Sequence, residues 1–495
     1  MKLATSDMIP KIDEFAEQTL GLPTRTLMER AGEAVAHAVL SLSESDSPRV
    51  VIFAGKGNNG GDGYAAAVKL ADRAQVTVYD VFSAGQRSDA GIFWRESALG
   101  MNIPVIPLTD ISVALDGADI AVDAVFGTGF SGEYPTVVRS LAEEINSRGV
   151  RCVAVDVPIG VDADSGECTD FALRADVTVA LSYPKVGTLS YPARGYCGEI
   201  VTDTLGIDTA AVESHFDFKN ILTDDNIART LLPRREKNSH KGSYGRLNMH
   251  VGCDAFRGAA HLALEAALRS GVGYVTFFGT DALCTELRMK MPEAVYKAGE
   301  IPTDASVTLV GSGSGCTREL AELVTSLAET DGAPMILDAD AINAIATYSS
   351  AEMLKSSKRK IILTPHPLEL SRLCGVGVSD IQSHRLSVAR SFARDHGCVL
   401  ILKGAATVIT DGEMTFVNSS GSSALAKAGS GDVLAGLVSS LIAQNPSDPL
   451  GMSALGAYLH GRAGDSLSER LTDYGVAPSD LPLEVAHIIK ELIGK

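Results

Sequence analysis

No two of the eight cysteines are spaced C-x-x-C, and all eight are scattered along 495 residues. That spread argues against a zinc site and a disulfide-stapled scaffold, and it fits a reducing compartment. Long hydrophobic runs are absent as well: no stretch approaches the roughly 18 apolar residues of a membrane span. The opening MKLATSDMIPKIDEFAEQTLG has early acids and no apolar core of the kind a secretory signal needs, so a cytoplasmic protein is expected. Positive charge is scarce too. Lys and Arg number 43 against 61 Asp and Glu, a formal net charge of -18, so nucleic acid is not an expected partner and the acids read mainly as a solvated surface. Internal repeats and low-complexity tracts are missing.

What is present has an α/β pattern. The chain is 45% hydrophobic and 21% charged, an ordinary globular balance, and its length implies about two to four domains. Leu27, Ala31, Ala34, Val35 and Ala38 share one face of an amphipathic opening helix. A theme then repeats: a short apolar run, a glycine-rich turn, a helix of small residues. RVVIFA leads into GKGNNGGDG and YAAAVKLADR, and VTVYDVF, ADIAVDAVFGTGFSGE and VRCVAVDVPIG follow. Such runs predict a parallel sheet buried on both faces, with ligands at the carboxyl ends of its strands. The polar segment after Ile207 reads as a linker, with a domain boundary near residues 214–223. Alternation resumes through VTLVGSGSG, MILDADAI, KIILTPHPLEL and VLILKGAATVITDGEMTFVN, the last folded on an expected Asp411-Gly412 hairpin turn.

The first candidate site begins at Gly55 with GKGNNGGDG. Glycines after a buried strand let backbone N–H groups approach a phosphate, and the next helix adds its positive end. Alone the pattern is weak, because strand–helix turns are glycine-rich for steric reasons too. Its company sharpens it. Asn58, Asn59 and Asp62 add polar groups that an ordinary dinucleotide loop does not need. Asp123 ends a strand before GTGFSGE, and Asp156 ends another in DVPIG. Three carboxylates at successive strand ends are hard to attribute to a core, although each singly fits a cap or a turn.

Together NNGGD, DAVFGTG and DVPIGVDADSG, after LMERAG, resemble the NAD(P)H-hydrate epimerase family over about residues 1–213. The resemblance implies a Rossmann-like fold and interconversion of the R and S epimers at C6 of hydrated NADH or NADPH. It implies that Asn58, Asn59, Gly60, Gly61 and Asp62 bracket the dinucleotide from one side. Gly127, Thr128, Gly129, Phe130, Ser131, Gly132 and Glu133 would bracket it from the other. It further implies Asp156 as the acid/base at the reacting carbon, and a potassium ion held by Asn59 and Asp123. The family usually has serine where this chain has Ile159, so a contribution of Ile159 to potassium would come from its backbone carbonyl.

The second half carries a separate constellation. AKAGSGDVLAG, residues 426–436, is a glycine turn opening a helix, with Asp432 near its start. Turn N–H groups can stabilise a transferring phosphoryl group while the carboxylate takes a proton from a hydroxyl. An acid in a first helical turn is also favoured by the helix dipole alone. Asp338 and Asp340 in LDADAI, His366 between two prolines in TPHPLE, and the LKGA turn all follow apolar runs. In this order SHKGSYGR, GSGSG, LDADAI, TPHPLE, LKGA and AGSGD resemble the NAD(P)H-hydrate dehydratase family over about residues 224–495, whose fold is ribokinase-like. The resemblance implies hydrate binding by Ala259, Gly313, His366 and Asp432. It implies nucleotide binding by Lys403, Gly404, Ala405, Ala406 and Thr407 with Gly431. Bacterial members use ADP and eukaryotic ones ATP. This chain departs from the family at GSSALAKAG, where Ser422 and Ser423 replace Asn-Pro and Lys427 replaces a small hydroxyl residue.

Two domains of this kind make a bifunctional repair enzyme that uses ADP, with potassium at the first site and magnesium at the second. Its expected partners are hydrated NADH or NADPH, ADP and further copies of the chain, with no nucleic acid and no membrane. A small-molecule kinase on the ribokinase-like scaffold is the alternative, since GSGD alone does not exclude it; a nucleotide sensor without turnover is a second.

Overall fold

The computed structural model describes residues 1–82, 87–130 and 132–494. The chain divides into two compact units, Lys2–Phe218 and the residues from Lys219 onward together with Met1. Among the described residues no helix is long and apolar enough to cross a membrane.

The first unit is built on seven strands: β1 (Arg49–Ala54), β2 (Gln75–Asp80), β3 (Val105–Pro107), β4 (Ile120–Ala124), β5 (Arg151–Val155), β6 (Val177–Leu181) and β7 (Glu199–Asp203). They lie in the order β3-β2-β1-β4-β5-β6-β7, and every pairing is parallel. The inner strands are apolar almost without a break because helices cover both faces. Thr24–Leu42 and Asn58–Leu70 pack into the cluster on one face, and Thr136–Arg148 into that on the other. Strand order reverses between β1 and β4. The turns leaving those two strands therefore flank a crevice, the usual binding place of an open parallel sheet.

One local expectation needs correcting. GKGNNGGDG reads as a loop, yet the helix begins at Asn58, so Asp62 lies a turn inside a helix and not at a strand end. Three glycines in four positions weaken a helix by about 1 kcal/mol each relative to alanine. Packing demands them. A side chain on Gly60 would strike the Gly55 carbonyl, and one on Gly61 would come within 2.5 Å of the Met28 sulfur.

The second unit contains β8 (Asn220–Thr223), β9 (Arg246–His250), β10 (Tyr274–Phe278), β11 (Val295–Lys297), β12 (Val307–Val310), β13 (Met335–Leu337), β14 (Ile361–Leu363), β15 (Val399–Leu402), β16 (Val408–Thr410) and β17 (Thr415–Asn418). Their order is β8-β17-β16-β15-β14-β13-β12-β9-β10-β11. Pairing is parallel from β15 through to β11, and antiparallel where β16 meets β15 and β17. Asp411 closes the β16–β17 turn by accepting from the N–H groups of Glu413 and Met414, with Gly412 at φ +97°. Strand order again reverses, between β9 and β12, and GSGSG leaves β12. The helices Arg257–Arg269 and Ser430–Gln444 touch backbone to backbone, since Gly436 leaves no room for a side chain beside the Ala263 carbonyl.

Candidate active sites

In the first unit a cavity of about 620 Å³ opens at the β1/β4 crevice, a volume suited to a cofactor-sized ligand. Asn58, Asn59, Asp62, Gly127, Thr128, Gly129, Phe130 and Asp156 line it. Gly60 and Gly61 do not; they let the helix approach its neighbours. Gly132 lines an adjoining cavity of about 420 Å³, while Glu133 is exposed and lines neither. Ser131 lies outside the described residues.

Asp156 follows β5 at φ +69°, a conformation costing about 1–3 kcal/mol for a side-chain-bearing residue. That turn aims its carboxylate into the cavity, where Oδ2 accepts from the Thr128 N–H at 3.2 Å. A carbon added at Gly127 would sit 3.0 Å from Asp156 Oδ2 and 3.2 Å from Asn59 Oδ1, so the GTG loop lies directly against both groups. The other Asp156 oxygen is ion-paired with Lys185, whose side chain is fully buried and also donates to the Leu181 carbonyl at 2.8 Å.

Two further carboxyls share this space. Burial, and then the charges of Asp156 and Asp13, hold Asp62 well above the usual carboxylate range. Asp13, from the helix Ile9–Gln18, is raised to about 6, chiefly by burial. The site therefore sets an ion-paired carboxylate beside Asp62, an acid that burial holds protonated, the arrangement acid/base chemistry needs. Lys185 and Asp13 were missed in the sequence. Lys185 sits in SYPKVGT just past an apolar run, a weak signal; Asp13 looks like the solvated face of an amphipathic helix.

Asp123 ends β4 beneath the cavity with no exposure. It accepts from Val125 N–H at 3.1 Å and Ile159 N–H at 2.9 Å, and burial still raises it to about 7. The Ile159 side chain is packed in the core and its carbonyl already accepts from Leu173 N–H. Asn59 is buried, and its amide nitrogen has no hydrogen-bond partner.

In the second unit the motif residues converge on Lys403. Its ammonium lies 3.1 Å from Asp338 Oδ1 and 3.7 Å from Glu369 Oε2, and its backbone N–H donates to the Pro365 carbonyl. Asp338 is buried and also accepts from Ser312 of GSGSG and from Thr364. His366 caps the helix Pro367–Cys374: its Nδ1 accepts from Glu369 N–H while the Glu369 carboxylate accepts from the His366 N–H. Asp340 accepts from Gly315 N–H at 2.8 Å and so pins the GSGSG turn.

Gly431 lies against this corner, with Lys403 Nζ 3.5 Å from where its side chain would begin. Asp432, next in the helix Ser430–Gln444, is pushed up to about 7, first by burial and then by Asp338, with Lys403 opposing. Ala259 and Gly313 are neighbours, since a carbon on Gly313 would fall 2.6 Å from the Ala259 methyl. One turn further along the same helix Leu262 packs on Gly429, which draws this pair toward the GSGD turn. Ala405 and Ala406 form the tip of the turn after Lys403, closed by Thr407 donating to the Gly404 carbonyl. Lys427 points elsewhere, donating to the Tyr474 and Val476 carbonyls, while Ser422 and Ser423 bond Asp473.

Residues 249–487 match the family described as NAD(P)H-hydrate dehydratase, and residues 24–187 match the family described as YjeF-related protein N-terminus. The Bifunctional NAD(P)H-hydrate repair enzyme Nnr of Moorella thermoacetica is 34% identical over 520 aligned residues, 99% of this chain and 97% of that protein. Among solved structures, the ADP/ATP-dependent NAD(P)H-hydrate dehydratase from Bacillus subtilis, co-crystallised with ATP and Mg2+, covers 55% of this chain and 98% of its own, at 28% identity and a TM-score of 0.51. A ribokinase-like superfamily protein of Enterococcus faecalis, at 24% identity and a TM-score of 0.50, shares the fold over 56% of this chain.

Proposed function

The chain belongs to the family of bifunctional NAD(P)H-hydrate repair enzymes, and from that premise we infer how its two sites divide the work. We assign residues 1–213 to epimerising the R and S hydrates and residues 224–495 to dehydrating the S form. The observation that carries this reading is the pairing, in one chain, of an ion-paired Asp156 at one crevice with Asp432 beside a glycine turn at another.

At the first site Asp156 would take the C6 hydroxyl proton as the C6–N bond opens to the aldehyde and return it as the ring recloses on the other face, with Lys185 holding the carboxylate and the Thr128 amide orienting it. Asn59 and Asp123 would hold potassium. The oxygens that would take it are Asn59 Oδ1, which faces the GTG loop, and the buried Asp123 carboxylate, whose partners are backbone amides; the ion would supply a fixed positive charge beside the cavity. Because Ile159 offers only a carbonyl that is already engaged, we expect replacement of potassium by sodium to change epimerisation only slightly. A steep loss of rate in sodium would show a complete potassium site.

At the second site hydroxide is a poor leaving group from the hydrated ring, and phosphorylation replaces it with a better one. Asp432 would take the C6 hydroxyl proton as the β-phosphoryl group of ADP transfers and AMP leaves. The ring nitrogen lone pair then expels phosphate, and loss of a C5 proton restores NADH or NADPH. The glycine-turn amides would stabilise the phosphoryl charge. Magnesium would supply further charge to the phosphates. Among the described residues no three His, Cys, Asp or Glu side chains are grouped to hold a metal, which fits an ion bound mainly through the nucleotide.

The test is incubation with mixed hydrate epimers, magnesium and either ADP or ATP. Recovery of reduced-nicotinamide absorbance from both epimers, with AMP and phosphate formed from ADP, is expected. A stable phosphorylated product would mark a kinase instead. We also propose a homo-oligomer. Exposed Ile92, Phe93, Leu99 and Met101, on and just after the helix Asp89–Gly100, support self-association, which sedimentation velocity checks.

A further inference from the structure

Lys403 is the basic residue that the LKGA motif offers to a nucleotide, but its ammonium is already engaged by Asp338 and Glu369. With Asp432 alongside, that corner is acidic, and the Lys403 charge is already matched there by carboxylates. A different cation lies under the same turn. Arg385 opens the helix Arg385–His396 and is 1% exposed. One of its terminal nitrogens donates to the carbonyls of Leu402 at 3.0 Å and Lys403 at 3.2 Å, and the other donates to Gln382 Oε1 at 2.8 Å. Its Nε has no partner. A carbon added at Gly404 would lie 3.0 Å and 3.1 Å from the two terminal nitrogens, so the guanidinium supports the loop from its inner side while Gly404 and Ala405 face solvent. Among the described residues no carboxylate pairs with it. Burial draws its pKa down to about 10, which leaves it charged at neutral pH.

A buried cation without a counter-ion is costly, and neutral acceptors compensate it only in part. We propose that Arg385 is a positioning residue for the nucleotide: it fixes the backbone of the loop Lys403–Thr407, and its charge is balanced by the phosphates bound on the loop's outer side. This rests on the reading of that loop as the nucleotide loop. Acting through one layer of backbone in a partly buried setting, one such charge changes affinity for a polyphosphate by about 10- to 100-fold.

The experiment measures binding of ADP and of adenosine to the full-length protein by calorimetry. Arg385→Gln, which keeps donors for the loop carbonyls, should weaken ADP binding about 10- to 100-fold while adenosine binding is unchanged. Arg385→Lys should recover most of the ADP affinity. If Arg385→Gln unfolds the protein, Arg385→Met takes its place, because apolar replacement of a buried charge is often tolerated. Normal ADP affinity in the neutral variants overturns the proposal, as do equal losses for ADP and adenosine, or a lysine variant no better than glutamine. Ala405→Glu separates the premise from the proposal. An acid at this exposed tip should abolish ADP binding, and unchanged binding would mean that the loop holds no phosphates at all.

Discussion

Replacing Asp432 with asparagine is expected to lower dehydration of the S hydrate by about 10²–10⁴-fold, the usual worth of a positioned base. The wild-type rate should rise about tenfold per pH unit below neutrality and level off near pH 7, since burial and Asp338 raise the acid to about 7. The variant should lose that rising limb. ADP affinity should hold or increase slightly, because a negative charge beside the phosphates is removed. Stability supplies an independent check. An acid whose folded pKa, about 7, stands above its ordinary 3.8 loses its stabilising contribution as pH rises through the folded value. Asparagine does not ionise, so the variant's thermal stability relative to wild type should grow between about pH 4 and 7 and stay level above. If Asp432 is only an acid in the helix's first turn, asparagine forfeits no more than a modest dipole interaction and turnover stays near normal. A dehydration rate, an ADP titration and a melting series on one protein preparation check all three expectations.

Asp156→Asn should abolish epimerisation while hydrate binding survives, because the substitution is nearly isosteric and the Asn58–Asp62 and Gly127–Gly129 segments remain. It also leaves the Lys185 ammonium in a fully buried position without its carboxylate. Breaking such a pair costs about 3–5 kcal/mol, so this variant should melt well below wild type. Adding Lys185→Met should recover much of the stability and none of the activity. Chromatographic measurement of epimer interconversion, alongside thermal melting of both variants, distinguishes a catalytic loss from a folding loss. Recovery of epimerisation in the double variant would move the acid/base role to Asp62 or Asp13.

Much about this protein was legible in its residues alone, where the information is local. Short apolar runs alternating with small-residue helices specify parallel α/β units, because a strand buried on both faces has no polar positions to offer. NNGGD, DAVFGTG, TPHPLE and AGSGD each set functional groups within a few residues of a strand end or a helix start, so the family and its two chemistries could be read in order. Asp432 could be singled out because its glycine turn precedes it directly.

What the linear order could not show are the pairings between elements. Asp156 and Lys185 are 29 residues apart, and Lys403 and Asp338 are 65 apart; the first pair follows the adjacent parallel strands β5 and β6, the second follows β15 and β13, which flank β14. The lysine of LKGA looks available to a phosphate until the end of β13 and the helix Pro367–Cys374 after β14 place Asp338 and Glu369 against it. Asp13 resembles any acid on an amphipathic helix, and only the docking of that helix over the crevice buries it among Asp62 and Asp156. NNGGD reads as a loop by propensity, and it is helical because Gly60 and Gly61 let the helix touch Gly55 and Met28. Helix and strand signals come from neighbours within one or two turns. Charge pairing and burial depend on segments that meet only when the sheet is assembled.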